Sequence, residues 1–115
     1  MTKRDGLTRV RAIAAKLPDV EEGTTFGWPA FKLKGKLFAW FPVKKEVEPG
    51  TLGVKVSLME RDFRIQNEPA VYYTTPHYKD YPSVLVRVER MTDKALRELL
   101  ESAHEFITAS LKRRG

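Results

Sequence analysis

The residues of this sequence that could carry out acid–base chemistry lie in one short segment, residues 77–81. His77 could act as an acid or a base, with Asp80 orienting its imidazole and a tyrosine hydroxyl nearby. No nucleophile paired with a base accompanies it, so we predict no catalytic residue and no enzymatic activity. In the competing interpretation, the tyrosines pack this loop onto a sheet, while their hydroxyls and His77 bind backbone groups. The candidate ligand-binding or structural loop residues are Trp28, His77, Tyr78 and Tyr81.

The other titratable residues do not suggest a metal site or a hydrolytic pair. His104 lies next to the apolar Ala103 in a predicted helix, and we interpret it as a structural or surface residue. Asp19, Glu21 and Glu22 are too close in sequence to face each other across a cleft, as the two carboxylates of a glycosidase do. A metal site needs three or four ligands, and a phosphate-binding loop needs a glycine pattern that the sequence lacks. We therefore predict no metal and no cofactor.

Lysines and aromatic residues are interleaved between Phe31 and Lys45, in a stretch with five lysines and no acidic residue. The lysines could neutralise phosphates, and the aromatic side chains could stack on bases. Alternatively, Phe38 and Trp40 belong to a core covered by a helix, and the lysines lie along its rim. Both interpretations leave the lysines available to a polyanion. The predicted nucleic-acid-binding residues are Lys32, Lys34, Lys36, Trp40, Lys44 and Lys45.

The composition is that of one soluble domain, here residues 1–115. The chain has no cysteine, which excludes disulfides and thiolate chemistry and gives no reason to expect an oxidising compartment. Its charged N-terminus and its lack of a long apolar run predict a cytoplasmic protein with no membrane partner. The net charge of +6 is compatible with a polyanionic partner and equally with a basic surface that serves solubility.

The elements that must position these residues are predicted in the order α-β-β-β-α-β-β-α, which is an α+β fold with an antiparallel sheet. A first helix covers residues 2–17 and stops before a proline, and residues 19–23 are a connector. Ser57 and Glu60 have the spacing of a capping box for a short second helix. The remaining predicted elements are strands near residues 52–58, 71–74 and 83–89 and a long last helix capped by Thr92.

Residues 31–41 predict a β-hairpin around Lys34 and Gly35. A three-residue loop would place Leu33 opposite Leu37, whereas a two-residue turn would place it opposite Lys36, and we predict the three-residue loop. In that register the side chains divide between two faces. One face carries Phe31, Leu33, Leu37, Ala39 and Phe41, and the other carries Lys32, Lys34, Phe38 and Trp40.

Two segments carry a resemblance to a known family: GTTFGWPAFKLKGKLFAW at residues 23–40 and TPHYKDYPSVLVRV at residues 75–88. Together with the LPDVEEG segment at residues 17–23, they resemble the MmcQ/YjbR family of small bacterial proteins. The resemblance extends in order and spacing over nearly the whole chain. It implies a compact two-layer α/β sandwich with a double-wing motif, helices mainly on one face of the sheet, and a proposed role in DNA binding without enzymatic activity.

The lysines and the resemblance together predict a non-enzymatic nucleic-acid-binding protein whose partner is DNA or another polyanion. No helix-turn-helix or other base-reading signature is present, so we expect contacts to the phosphate backbone and weak sequence specificity. The alternative is a protein-interaction or small-ligand-binding module that uses the aromatic face of the sheet. In that case a protein partner or a second copy of the chain would cover an exposed apolar patch there.

Overall fold

The structure is a computed structural model that describes residues 5–114. Within these residues, three α-helices pack with a six-stranded antiparallel sheet of order β1-β2-β3-β4-β6-β5. The helices are α1 (Gly6–Ala14), α2 (Leu58–Asn67) and α3 (Asp93–Arg114), and the strands are β1 (Val20–Thr25), β2 (Trp28–Leu33), β3 (Lys36–Trp40), β4 (Thr51–Lys55), β5 (Tyr72–Tyr73) and β6 (Ser83–Arg87). The predicted α+β class, the antiparallel sheet and the order of the predicted elements are confirmed. No helix among the described residues combines the length and apolar character needed to cross a membrane.

Helix α1 is shorter than the helix predicted over residues 2–17. Its start is capped by Asp5, whose carboxylate accepts a hydrogen bond from the Thr8 backbone N–H at 2.7 Å. The helix ends at Ala14, and the Leu17 N–H then bonds to the Ala14 carbonyl in a tighter turn. Residues 2–4 of the predicted helix lie outside the described residues.

The segment predicted as a connector, residues 19–23, instead leads into an edge strand. Asp19 has a φ of +62°, a left-handed conformation that turns the chain, and β1 then pairs along its whole length with β2. The residues inside β1 are exposed, so the strand lacks the apolar alternation by which strands are recognised in a sequence. Backbone pairing with β2, and not burial of its side chains, explains why this segment is a strand.

Two-residue turns connect β1 to β2 and β2 to β3. Phe26 and Gly27 have φ values of +52° and +77°. Lys34 and Gly35 have φ values of +49° and +82°. Positive φ at both central residues is typical of the type I′ turn that closes tight hairpins. The last residue of β2 therefore lies opposite the first residue of β3, so the predicted three-residue loop is wrong and the two-residue alternative is right.

A β-bulge in β3 reverses the alternation of side chains along that strand. Leu37 lies opposite Lys32, and the next pair joins Ala39 to Phe31. Phe38 is therefore an extra residue, and it packs on the same side of the sheet as Ala39. The predicted faces are wrong here, because Phe38 lies on the face of Phe31 while Leu37 lies on the opposite face. The observed turn is one residue shorter than the predicted loop, and the bulge inserts one residue into β3. Phe31 therefore still lies opposite Ala39.

The sheet separates two groups of buried side chains, which we name the helix-side cluster and the loop-side cluster. The helix-side cluster lies between the sheet and helices α1 and α3, and all the apolar residues predicted to line the last helix pack in it. These are Leu96, Leu99, Leu100, Ala103, Phe106, Ile107 and Leu111. The loop-side cluster, on the opposite face, contains Ala30, Trp40, Val47, Tyr78 and Leu85. It has no helical residue, so loops 41–50 and 74–82 cover it.

The predicted helix caps are confirmed in part. The Ser57 hydroxyl accepts a hydrogen bond from the Glu60 N–H at 3.1 Å. Likewise, the Thr92 hydroxyl accepts one from the Ala95 N–H at 3.1 Å. The Glu60 carboxylate does not return to the start of α2 as in a full capping box, because it accepts a hydrogen bond from Arg64 at 2.8 Å. Of the two hydrogen bonds of the predicted capping box, only the one accepted by Ser57 is therefore present at the start of α2.

Truncation of a leucine in the helix-side cluster tests this assignment of the core. Leu99 is fully buried, so Leu99→Ala should lower the free energy of unfolding by about 2 to 4 kcal/mol. Leu58→Ala is the matched control, because 43% of the Leu58 side chain is exposed, and it should change stability by less than about 0.5 kcal/mol. Urea denaturation of the two variants measures both values, and equal losses would contradict the assignment.

Candidate ligand-binding cleft

A cleft of about 610 Å³ opens on the face of the sheet that carries the loop-side cluster. Its walls are formed by the β1–β2 turn and by loops 41–50 and 74–82, and its base is formed by residues of the central strands. Pairing of β4 with β6 places Lys55 opposite Ser83 and Gly53 opposite Leu85. The volume lies in the range typical of sites for small molecules or single nucleotides. The sheet therefore supplies a rigid base, and the loops supply the walls.

The base of the cleft depends on close contact between Trp40 and Gly53, which face each other across β3 and β4. A Cβ atom added to Gly53 would lie only 2.5 Å from Cε2 of the Trp40 indole. Gly53 has no positive φ, so its role is to make room and not to permit an unusual backbone conformation. The indole is 5% exposed and lies beside Tyr78, with ring centroids 6.0 Å apart. Trp40 is therefore a core residue. Tyr78, and not the helix that was expected to cover Trp40, packs beside it.

The side chains of the walls are mainly aromatic. His77 contacts the Tyr78 ring edge-to-face, with centroids 4.7 Å apart. Across the cleft, the Phe26 and Trp28 rings are 5.7 Å apart and tilted. Tyr81 is 55% exposed at the rim, so only Tyr78 packs its loop onto the sheet as expected. Neither tyrosine hydroxyl bonds to any described group, so the expectation that these hydroxyls hold the loop backbone is wrong.

Lys44 is the first of two cations in the cleft. Its Nζ donates a hydrogen bond to His77 Nε2 at 2.8 Å, so this ring nitrogen is the acceptor. The same Nζ lies 5.9 Å from the Trp28 ring centroid and 5.3 Å from the Tyr78 ring centroid. These distances are in the range of cation–π attraction. Lys44 thus holds the two walls together, and no hydrogen bond joins His77 to Asp80 within the described residues.

Lys55 is the second cation, and its Nζ lies 5.6 Å from the Trp40 ring centroid. Burial is the main cause that lowers the pKa of Lys55 below its usual value, and repulsion from Lys36 adds to it. Among the described residues no carboxylate pairs with Lys55, and none of the residues that line the cleft is acidic. The cleft consequently combines an apolar, aromatic interior with positive charge that no carboxylate of residues 5–114 neutralises.

Phe26 is exposed and conformationally strained. A bulky residue with positive φ is uncommon, and position 26 of a type I′ turn would be occupied at lower cost by asparagine or glycine. The Phe26 side chain is 87% exposed at the rim of the cleft, so packing does not offset that strain. Strained residues of this kind are concentrated at binding sites. Phe26 is therefore a candidate contact residue.

The structure brings together six of the residues selected from the sequence, and it separates others from them. The cleft is lined by Trp28, Trp40, Lys44, His77, Tyr78 and Tyr81. Lys36 acts on Lys55 through its charge, whereas Lys45 is exposed outside the cleft lining. Lys34 lies in a separate depression beside His104 and pairs with Asp19 at 3.9 Å. Lys32 is half-buried and does not line the cleft.

Sequence reasoning missed several residues of the cleft, and their signals differ. Phe26 precedes Gly27, and glycine is a common residue of hairpin turns whereas phenylalanine is not, so the turn signal there is weak. Gly53, Lys55 and Ser83 gave no comparable signal, because their roles depend on which residues lie opposite them in the sheet. Within the described residues, no three histidine, aspartate or glutamate side chains come together as metal ligands.

Comparison with known proteins adds the family and the fold. The family model YjbR matches residues 15–106. The uncharacterized proteins Rv2570 of Mycobacterium tuberculosis and Mb2600 of Mycobacterium bovis are each 35% identical to this chain over 108 residues, which covers 82% of this chain and 81% of theirs. The crystal structure of Deinococcus radiodurans protein DR2400, with its DUF419 domain, is similar with a TM-score of 0.73 and 21% identity over 89% of this chain and 78% of that chain. At that identity the likeness concerns the fold alone.

Enlarging Gly53 tests the contact at the base of the cleft. Gly53→Ala should displace the Trp40 indole and lower the free energy of unfolding by about 1 to 3 kcal/mol, because a rigid ring cannot move aside within a packed cluster. Near-ultraviolet circular dichroism and denaturation report the two effects. Gly23→Ala is the matched control, since nothing lies within 4 Å of its added Cβ, and it should change stability by less than about 1 kcal/mol. Identical behaviour of the two variants would contradict the contact.

Proposed function

The chain belongs to the YjbR family, and from that premise and the geometry of the cleft we propose that it is a non-enzymatic nucleic-acid-binding protein. The cleft receives an unpaired base, and the lysines around it contact the phosphate backbone. The observation that carries the proposal is the combination of aromatic walls with two lysines and no acidic lining residue. Stacking platforms beside positive charge are the usual features of proteins that bind single strands.

The aromatic walls favour a single strand over a duplex. In a duplex the base faces are stacked on their neighbours, so they cannot contact Trp28 or Tyr78 without being flipped out. The two helices of the helix-side cluster lie on the other face of the sheet, and none of the residues that line the cleft belongs to a helix that could enter a major groove. We therefore expect recognition of base faces and backbone, with little discrimination between sequences.

The positions of the lysines support contacts to a strand that extends beyond the cleft. Lys36 lies near Lys55 at one side, and Lys45 follows Lys44 on an exposed loop. A strand that leaves the cleft in either direction would meet positive charge. Histidine chemistry is not part of the proposal, because His77 accepts its hydrogen bond from Lys44 and no described carboxylate orients it.

A protein partner is the second candidate, and one separate surface favours it. Helix α2 has no buried residue, and Met59 and Phe63, one turn apart, are 84% and 65% exposed. Exposed apolar side chains on one helix face are typical of protein-interaction surfaces. This surface does not account for the two lysines in the cleft, so the nucleic-acid proposal explains more of the structure.

Removal of the Lys44 charge tests the proposed strand contact. Lys44→Gln should weaken binding of a labelled oligothymidylate and reduce the log–log salt slope by about 0.7, the value per phosphate contact on a single strand. Fluorescence anisotropy over a salt series measures both quantities. The matched control is Lys94→Gln, which removes the same charge from an exposed position on α3, on the opposite face of the sheet. The tryptophan emission should also fall on binding, because both tryptophans line the cleft.

Two results would overturn the proposal. One is absence of binding to the single strand at low salt by a folded protein, and the other is an equal effect of the Lys44 and Lys94 substitutions. A higher affinity for the duplex than for the single strand would contradict the proposal that bases stack in the cleft. Capture of a protein through α2 with no strand binding would favour the second candidate.

Replacement of the strained aromatic residue separates stability from binding. Phe26→Asn should raise the free energy of unfolding by about 1 kcal/mol, because asparagine suits the first position of a type I′ turn, and it should weaken strand binding. Lys34→Asn makes the same improvement in the other turn, so it should gain similar stability while strand affinity falls less. Denaturation and anisotropy give the two readouts. A Phe26→Asn variant with unchanged affinity would remove Phe26 from the binding site.

A further inference from the structure

We propose that the β4–β6 side of the cleft is a subsite for a phosphomonoester, formed by the Lys55 ammonium and the Ser83 hydroxyl. The inference rests on the proposed function, since the phosphate belongs to the nucleotide whose base lies between the aromatic walls. It adds that the cleft binds a nucleotide with a terminal phosphate, either a free nucleoside monophosphate or the phosphorylated end of a strand.

The sheet places the two groups side by side. Lys55 and Ser83 are directly opposite each other in the antiparallel pairing of β4 with β6, and both line the cleft. Directly opposite residues have Cβ atoms roughly 5 Å apart on the same face of a sheet. Because the two side chains start side by side on the same face, the ammonium and the hydroxyl can both donate a hydrogen bond to one oxyanion in the cleft. Both positions are on strands, so the subsite does not depend on loop conformation.

Ser83 supplies an unsatisfied donor. The residue is only 1% exposed, and its hydroxyl has no hydrogen-bond partner among the described residues. Its backbone N–H is satisfied by the Tyr81 carbonyl at 2.7 Å, so the side chain is not needed to hold the loop. A buried hydroxyl without a partner is unfavourable by roughly 1 to 3 kcal/mol relative to one that is hydrogen-bonded. A phosphate oxygen beside Lys55 would give it an acceptor.

Lys55 supplies a cation without a counterion. The residue is half-buried, the Trp40 ring lies on one side of it, and the charge of Lys36 repels it. The half-buried arginines of the described residues, in contrast, pair with carboxylates, as Arg64 does with Glu60 at 2.8 Å. Burial and like charge lower the pKa of Lys55, and an anion bound beside it would oppose both effects. The missing counterion is thus expected from the ligand.

The charge of the site favours a monoester over the diester of an internal linkage. A phosphomonoester carries about −1.5 to −2 charges at neutral pH and presents three acceptor oxygens, whereas a diester carries a single charge. Lys55 carries a positive charge into the cleft, Lys36 adds positive potential from outside the cleft lining, and no acidic residue among those lining the cleft opposes the larger charge of a monoester. Lys44 forms its hydrogen bond with His77 at the other wall, so Lys55 is the lysine of the cleft lining that can contact a phosphate on this side.

The experiment compares ligands that differ only in the terminal phosphate. Calorimetry with adenosine monophosphate and adenosine tests the free nucleotide, and anisotropy with 5′-phosphorylated and 5′-hydroxyl oligothymidylate tests the strand end. The phosphate should raise affinity about tenfold or more in at least one of the two comparisons, as expected for a charge-assisted hydrogen bond. Lys55→Met should abolish that gain, and Lys94→Met, which removes a charge from the opposite face, should keep it.

A stability measurement distinguishes this subsite from a structural role for Lys55. Without ligand, Lys55→Met should have a melting temperature equal to or above that of the wild type, because a half-buried charge has been replaced by an apolar side chain. The nucleotide should then raise the melting temperature of the wild type only. If Lys55→Met does not fold, Ser83→Ala provides the second variant, and it should lose about threefold or more of the phosphate-dependent gain.

The outcomes separate the subsite from the proposed function. Strand binding that depends on Lys44 but not on the terminal phosphate would overturn the subsite and leave the proposed function standing. Binding of adenosine monophosphate without strand binding would support the subsite and overturn the proposed function, making the cleft a site for free nucleotides. A phosphate effect that persists in both Lys55→Met and Ser83→Ala would place the phosphate elsewhere and overturn the subsite.

Discussion

The architecture of the site depends on one extra residue in β3. Without the bulge at Phe38, strict alternation from Trp40 would place Phe38 on the loop side of the sheet and Leu37 among the helices. Because of the bulge, the Phe38 ring packs in the helix-side cluster and the Trp40 ring packs in the loop-side cluster, so both faces of the central sheet are filled. Sheets covered on both faces are rigid, and here the loop side is covered by segments that also form a cavity. The base of the cleft therefore consists of strands that are packed on both faces, while its walls belong to loops.

The cations of the protein differ in the groups that compensate their charge. Arg11, Arg64 and Arg87 bind carboxylates with N–O distances of 2.6 to 2.8 Å, so their charges are largely compensated within the protein. Lys44 and Lys55 lie near aromatic rings and have no carboxylate partner among the described residues, and an aromatic quadrupole compensates a cation far less than a carboxylate does. The cleft thus carries two positive charges that no described carboxylate compensates, without any long run of basic residues there. Net charge alone would not have located them.

The sequence predicted those parts of the fold in which periodicity and burial coincide. The last helix and β6 were recognisable because their apolar residues recur at helical spacing or form a continuous apolar run. Strand β1 was not, because an exposed edge strand buries too few side chains to show alternation. The faces of β3 were assigned wrongly because a bulge moves the Phe38 side chain to the other face of the sheet and has no signature in the amino-acid composition of the strand. Most aromatic residues of the cleft were selected in advance, whereas Gly53 and Ser83 acquire their roles only from the residues paired with them. Cross-strand neighbours are set by register, which local sequence specifies weakly.

The division into two clusters also has an evolutionary and practical side. The helix-side and loop-side clusters share strands but no side chains, so substitutions in one reach the other only through the backbone. Free-energy changes at sites without common contacts are close to additive. The helix-side cluster can therefore go on specifying the fold while residues around the cleft are exchanged one at a time. A domain built in this way is a scaffold on which ligand preference can drift, or be re-engineered, without a matching redesign of its core.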